Sequence, residues 1–477
     1  MHKLERKLHE ECGIFGIAAA AEDNISAAAE TRTALFSLQH RGQESAGIVV
    51  SDNGIFHSYK NNGLVTEVFT ERNMRGLVGQ TAVGHVRYST TGASVRENAQ
   101  PIVVRHVKGN LAVAHNGNLV NAGELRQEIE LGGGIFQTTN DSEVITYTIV
   151  RERLNSDSIE EAVKKAMGRI KGAFSLLIMS PRKLIAARDP NGFRPLCMGM
   201  LGNSYCFASE SCAFDAIGAK FIRDLLPGEL IVIEDGAMRS MDCGLKGEQG
   251  LCVFEYVYFA RPDSTIDGIG VDWSRQLAGR YLARECPVEA DLVVGVPDSG
   301  ISAAIGYSYE SGIPYSMGLV KNRYIGRTFI QPNQGQREDS VRLKLNALSA
   351  NVKGKRLILI DDSIVRGTTC VRIINMLREA GATEVHMRIA SPPFRHPCYF
   401  GTDIPNRDML IAHNYSVEEI CKIINTDSLG YLSVEAMKKT ADGGTCGVCI
   451  GCFTGKYPIE VPETTADKNI FERRIGQ

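Results

Sequence analysis

Short apolar runs with polar residues at alternate positions fill the first half of the chain. This period-two pattern predicts strands at 14–18, 46–51, 55–60, 82–88, 102–107, 111–115, 174–179, 184–188, 195–200 and 229–234. Helical patterns break in at 27–39, 121–130, 141–153 and 158–167. Many strands with few helices imply two packed sheets covered by helices. Near 245–270, beyond "GLKGEQG", the character changes. "DLVVGVPDSG" (291–300) is an apolar run, a turn, then small residues that open a helix, and "KRLILIDDSIVRGTT" (355–369) repeats the form. Residues 357–360 are apolar on both faces, as in a buried parallel strand. A helical pattern at 369–380 and a strand pattern at 384–390 complete a strand–helix–strand order, which predicts a doubly wound α/β domain. No internal repeat or low-complexity tract is present, and the polar C-terminal stretch reads as loosely held.

Composition narrows the class. The length, 477 residues, suggests several domains, and 43% hydrophobic with 23% charged residues is ordinary for a globular enzyme. Lys+Arg 53 against Asp+Glu 55 leaves a net charge of -2, so nucleic acid is not an expected partner and any anionic ligand needs a local site. "MHKLERKLHEE" lacks the apolar core of a secretory signal, and no run has the length of a membrane span. A cytoplasmic location is expected, where the 13 cysteines should be thiols, metal ligands or catalysts rather than disulfides.

Two stretches carry chemistry. In "LILIDDSIVRGTT", Asp361 and Asp362 end a strand, where α/β sheets bind ligands, and the small and polar residues after them can wrap a phosphate at a helix N-terminus. The carboxylates suit ribose hydroxyls or a Mg²⁺ that bridges to a diphosphate. A helix with an acidic cap is the plain alternative. Near the N-terminus, Cys12 precedes the run "GIFGI", followed by "LQHRGQESAGI" (38–48), "GHVRYSTTG" (84–92), "AHNGNL" (114–119) and "TTNDSE" (138–143). Each alone could be turn chemistry, and "HNGN" reads as a plausible hairpin turn.

The first stretch closely resembles the phosphoribosylpyrophosphate (PRPP) motif of phosphoribosyltransferases. The resemblance implies that Asp361, Asp362, Ser363, Arg366, Gly367, Thr368 and Thr369 bind PRPP, and that "GVPDSG" cradles the pyrophosphate. Ser299 is then expected near a Mg²⁺ together with Asp361 and Asp362. "KNRYIGRTFIQPNQGQR" (321–337) is expected to be a lid that excludes water.

The second set, in this order, resembles the N-terminal-nucleophile glutamine amidotransferase domain over roughly residues 12–240. Freeing ammonia from an amide requires a thiolate, a base and donors for the oxyanion. By this resemblance Cys12 is the nucleophile, and Asn116 and Gly117 form the oxyanion hole. Arg87, with Thr90 nearby, pairs with the glutamine carboxylate, Asp141 binds its amine, and Arg41 orders the surroundings of Cys12. No histidine has an evident claim as partner, although His40, His85 and His115 lie within the motifs. Cleavage before Cys12 exposes an α-amine of pKa about 8, suited to take the thiol proton. Residues 1–11 are therefore expected to be a propeptide.

Together the halves resemble the glutamine PRPP amidotransferases over nearly the full length. The expected fold is an α+β N-terminal-nucleophile glutaminase domain (an αββα sandwich, 12–245), then an α/β phosphoribosyltransferase domain with a parallel sheet (246–460) and a tail (461–477). The implied reaction frees ammonia from glutamine and places it on C1 of PRPP. Feedback by purine nucleotides, an ammonia channel and a homotetramer are implied by the resemblance alone. Competing readings are an amidotransferase that feeds a sugar phosphate isomerase domain, and a PRPP-sensing regulator without catalysis.

"CGVCIGC" (446–452) invites a metal reading, since zinc sites, redox pairs and iron–sulfur clusters all use C-x₂-C. Some members of the family carry both a [4Fe–4S] cluster and a propeptide. That resemblance assigns Cys252, Cys398, Cys449 and Cys452 as ligands, with Cys446 and Cys243 as competitors; zinc and free thiols remain alternatives.

Overall fold

The computed structural model describes residues 11–88, 92–322, 345–402, 406–462 and 471–472. A seven-stranded antiparallel sheet runs in the order Lys220–Asp224, Cys197–Leu201, Ser204–Ala208, Gly13–Ala18, Thr81–Arg87, Ser45–Asp52, Ile55–Asn62. A six-stranded antiparallel sheet follows the order Ala237–Asp242, Glu229–Glu234, Lys183–Arg188, Gly172–Met179, Gly109–Leu119, Ile102–His106.

The side-chain alternation decides how these sheets stack. Ile14, Val49 and Val83 of the first sheet meet Ala112, Leu177 and Leu184 of the second in one buried layer. The next residue along the first strand, Phe15, points the other way, into a core shared with the helix Ala27–Ser37. On the far face of the second sheet, Val113, Leu176 and Ile178 pack against the helices Ala122–Leu131, Asp141–Leu154 and Ile159–Met167. This is the expected helix–sheet–sheet–helix sandwich.

The second half holds a four-stranded sheet, Leu292–Gly295, Arg356–Asp361, Glu384–Ile389 and Ser428–Tyr431, parallel throughout. Ile358 and Ile360 face a core shared with Ala278, Leu282 and Ala303, from the helices Val271–Glu285 and Gly300–Ser311. Leu357 and Leu359 face the opposite core, with Ile373 and Leu377 of the helix Thr368–Glu379. Helices therefore cover both faces, and the run at 357–360 is apolar on both sides for that reason.

In the first half three strands escape the sequence pattern, Ser204–Ala208, Lys220–Asp224 and Ala237–Asp242, and in the second half Ser428–Tyr431 does as well as several shorter ones. Lys220–Asp224 and Ala237–Asp242 are edge strands, largely exposed and without apolar alternation, and a bulge between Phe221 and Arg223 breaks the register of one. "HNGN" is not a hairpin turn. It continues the strand Gly109–Leu119, paired residue by residue with Gly172–Met179. Gly117 lies at φ +143, and a Cβ there would come to 2.1 Å from the Ala173 carbonyl oxygen. The Asn-Gly pair thus serves a close sheet contact rather than a reversal. Thr90 and lid residues 323–337 lie outside the described residues.

Candidate active sites

Cys12 immediately precedes the first strand and is buried. Its Sγ donates to the Tyr88 carbonyl at 3.2 Å, and its own carbonyl accepts from Arg41 Nε at 3.0 Å. Burial pushes the thiol up to about 12, so the thiol is protonated at neutral pH in this form. The three histidines of the motifs are engaged elsewhere. His40 meets Glu210 and the Ser37 carbonyl, His85 meets the His115 carbonyl, and His115 meets Ser142 and the Ala173 carbonyl. Burial also lowers His85 to about 3, which suits a neutral structural ring.

Arg41 is fully buried and held by two carboxylates. It donates to Glu210 at 2.6 Å and, through both terminal nitrogens, to Glu255 at 2.8 Å. Glu255 opens a π-helical turn, Glu255–Phe259, and also pairs with Arg194 at 3.3 Å. A further carboxylate, Glu11, sits 2.8 Å from Arg194 and accepts from the Thr402 hydroxyl at 3.2 Å. Sequence reading missed Glu11, Arg194, Glu210 and Glu255. The available signal was an acid inside an apolar run, as in "CVFEYVYF", where a lone carboxylate needs a buried partner.

Arg87 and Asp141 belong to one region. Arg87 ends the strand Thr81–Arg87, is buried, and donates to the Ala93 and Gly92 carbonyls at 3.0 and 3.2 Å. Its charge is felt by both Cys12 and Asp141, although burial is the largest influence and lowers the guanidinium. Asp141 begins its helix, accepts from the Leu119 N–H at 3.0 Å and lies 3.7 Å from His115 Nδ1. The Asn116 side chain, on the strand Gly109–Leu119, is fully buried with neither amide atom hydrogen-bonded. A buried amide left without a partner is costly, and it is the kind of donor that an oxyanion would use.

The second site lies at the carboxyl end of the parallel sheet. Asp361 closes its strand, and Asp362 follows; both are buried. Asp361 accepts from the Asp362 N–H at 3.0 Å, while Asp362 accepts from the Ser363 hydroxyl at 2.5 Å and from the Ser299 hydroxyl. Gly300 makes that meeting feasible, because a Cβ there would come to 2.5 Å from the Ile360 carbonyl oxygen. Ser299 caps the helix Gly300–Ser311, and Gly367, at φ +79, caps Thr368–Glu379. Two helix N-termini therefore flank the paired carboxylates, with Thr368 and Thr369 in the first turn of one. Arg366 is part-buried and turned to Met409 Sδ at 3.3 Å. At 321, Lys321 pairs with Asp298 at 2.6 Å.

Cys252, Cys398, Cys449 and Cys452 line a single apolar cavity with Phe193, Phe254, Phe394, Phe400, Thr402 and Tyr457. A short parallel pairing sets Cys252 opposite Cys449, and Cys398 Sγ accepts from the Phe400 N–H at 3.4 Å. Cys446 is outside that lining and bonds Asp267, while Cys243 packs on Met167 Sδ at 3.6 Å. Among the described residues, no three His, Cys, Asp or Glu side chains group closely enough to hold one metal ion. Four thiols on one apolar cavity are the donor set that an iron–sulfur cluster takes, one thiolate per iron.

Family models match a glutamine amidotransferase domain at residues 85–216 and a phosphoribosyl transferase domain at 274–391. The amidophosphoribosyltransferase of Bacillus subtilis is 50% identical over 98% of this chain and 98% of its own. That of Archaeoglobus fulgidus is 51% identical over 94% and 98%. Among solved structures, the glutamine PRPP amidotransferase of B. subtilis complexed with ADP and GMP matches with TM-score 0.89 and 50% identity, covering 95% of this chain and 99% of that one. A structure described as the allosteric regulatory enzyme of purine biosynthesis matches with TM-score 0.91 and 49% identity, covering 98% and 100%.

Proposed function

The chain belongs to the amidophosphoribosyltransferase family, and on that premise we propose which residues carry each step. The reaction hydrolyses glutamine through a cysteine thioester and transfers the ammonia to C1 of PRPP. Its products are 5-phosphoribosylamine, pyrophosphate and glutamate, and it belongs to purine biosynthesis.

Cys12 is the nucleophile in this reading. Glutamine lies with its α-carboxylate on Arg87 and its α-amine on Asp141. The orphaned Asn116 amide and the Gly117 N–H receive the oxyanion as the thiolate adds to the side-chain amide. The observation that carries this is the unpaired Asn116 side chain, a donor held ready in a dry site. Arg41, fixed by Glu210 and Glu255, holds the Cys12 backbone through its carbonyl. In the described form burial keeps the thiol protonated, and its hydrogen bond goes to the Tyr88 carbonyl rather than to a base. Cleavage between Glu11 and Cys12 supplies the base as an α-amine, which makes residues 1–11 a propeptide.

At the second site Asp361 and Asp362 take the ribose hydroxyls, and the N-termini at Ser299 and Gly367 take the phosphates. Asp361, Asp362 and Ser299 would hold a Mg²⁺, which when bound would supply charge neutralisation for the pyrophosphate leaving group. Cys252, Cys398, Cys449 and Cys452 would hold a [4Fe–4S] cluster, and its contribution would be structural, because Cys449 and Cys452 come from the C-terminal region and Cys252 and Cys398 do not. Purine nucleotides as inhibitors and a homotetrameric assembly complete the proposal.

The test is a split assay. Cys12→Ala abolishes glutamine-dependent 5-phosphoribosylamine formation and leaves ammonium-supported formation intact. Equal loss of both activities would reject the division of labour.

A further inference from the structure

We infer that Phe471 and Glu472, near the C-terminus, are positioning residues that staple the two walls of the glutamine pocket together. This rests on the reading of Arg87 and Asp141 as the glutamine-binding pair. The Glu472 carboxylate accepts from the Ala93 N–H and, at 3.1 Å, from the Thr139 hydroxyl. Ala93 belongs to the wall that holds Arg87, since the Ala93 and Gly92 carbonyls accept from that guanidinium. Thr139 belongs to the other wall, two residues before Asp141 and next to Asn140, which caps the Asp141 helix. One carboxylate oxygen therefore joins the carboxylate-binding wall to the amine-binding wall.

Phe471 reaches the same place by a separate contact. Arg126 lies between two rings, 4.3 Å from the Phe136 centroid and 4.6 Å from that of Phe471. The same guanidinium donates to the Thr138 carbonyl at 2.9 Å. A cation flanked by two aromatic faces is held more firmly than by one. Phe471 thus steadies residue 138 while Glu472 fastens residue 139. Asn98 already bridges these walls, bonding both the Ala93 carbonyl and Thr139, and Glu472 closes the same junction from the solvent side.

A staple of this kind acts on glutamine binding and on nothing at the PRPP site. In the processed enzyme, Glu472→Ala is expected to raise the glutamine KM about five-fold, the equivalent of one lost hydrogen-bonded contact, with kcat unchanged. Ammonium-supported synthesis stays at the wild-type rate. Phe471→Ala moves KM in the same direction. Glu472→Gln keeps an acceptor oxygen and recovers most of the wild-type KM. An unchanged KM in both alanine variants overturns the inference. So does a lower KM, which would mark the tail as a competitor for the pocket, and so does loss of the ammonium-supported rate, which would mark a general folding role. Arg87→Ala separates the two claims. If it removes glutamine use while Glu472→Ala changes nothing, only the staple fails; if Arg87→Ala leaves the glutamine KM untouched, the pocket reading itself fails.

Discussion

Glu11 and Arg194 form an ion pair of 2.8 Å in which both side chains are fully buried. The pair matters because Glu11 immediately precedes Cys12, the proposed nucleophile. A Cβ on Gly401 would fall 2.9 Å from Glu11 Oε2 and 3.5 Å from the Gly117 carbonyl carbon, so Glu11 is tucked beside the proposed oxyanion hole. Burial raises the Glu11 carboxyl and Arg194 opposes that rise. The residue that would end the proposed propeptide is therefore seated as deeply as Cys12.

Reactivity of Cys12 should follow cleavage. With the thiol pushed up to about 12, the uncut chain is expected to resist iodoacetamide at neutral pH, whereas a chain beginning at Cys12 is alkylated. Mass spectrometry of each form, with and without reagent, reads the outcome. Equal labelling of the uncut form at Cys12 would sink the masking idea.

Glu255 should be among the least replaceable residues. Glu255→Ala leaves Arg41 without its two-pronged partner and Arg194 with Glu11 as its remaining carboxylate beside the Phe400 carbonyl. Removing one partner of a buried ion pair costs about 3–5 kcal/mol. A denaturant titration should show that loss, and a shift below about 1 kcal/mol would mean that water reaches the network.

Acid should act through Glu210. Burial raises its carboxyl, but attraction to His40 and Arg41 outweighs this and holds it well below the ordinary 4.5. A folded-state value below the unfolded one gives stabilisation that is complete above 4.5 and is lost as pH falls from there toward the folded value. Glu210→Gln is expected to lower stability at neutral pH and to flatten the decline below pH 4.5. An unchanged acid slope in that variant would assign the decline to other carboxylates.

Asp362→Asn should separate the two halves kinetically. It weakens the Ser299 contact and removes one charge facing the proposed Mg²⁺. The expected result is a PRPP KM raised at least about ten-fold, read in ammonium-supported synthesis, with the glutaminase of the processed enzyme retained. A PRPP KM at the wild-type value would remove Asp362 from the site.

Iron content should sort the cysteines. Cys452→Ser is expected to lose iron and visible absorbance, because Cys452 lines the shared cavity. Cys446→Ser, at a thiol bonded to Asp267 outside that lining, is expected to keep both. The reverse pattern would exchange their roles.

What the sequence disclosed has a physical basis. The buried parallel strand at 357–360 announces itself because apolar residues on both faces have few other uses, and the same holds for Ile14 and Phe15 with their opposite cores. Asp361 and Asp362 were legible from their place at a strand end, whereas Ser299 was legible only through the resemblance of "GVPDSG" to a phosphoribosyltransferase loop. The strands Lys220–Asp224 and Ala237–Asp242 were not, because an exposed edge strand is held by backbone pairing that leaves little trace in side-chain type. Glu210, Glu255 and Arg194 were hidden for another reason. Their meaning lies in pairings across long sequence separations, such as Arg41 with Glu255, 214 residues apart. Glu472 belongs to the same class, a polar residue in a polar tail whose contact is 379 residues away.

The shared carboxylate of Glu255 has a consequence for how such a chain can be divided or recombined. Its π-helical turn carries the Tyr256 carbonyl, which accepts from Arg275 at 2.6 Å, and Ala260 just after it accepts from the same guanidinium. Arg275 stands on the helix Val271–Glu285, which packs against the one that Ser299 caps. Severing the chain before Leu251 would strand Arg41 and Arg194 in a dry interior with no counter-charge from that turn. Exchange of either half with a distant homologue would meet the same obstacle unless the acid and both arginines travelled together. The fusion of the two activities is thus written into the solvation of two arginines, and gene fission would first have to make those arginines wet.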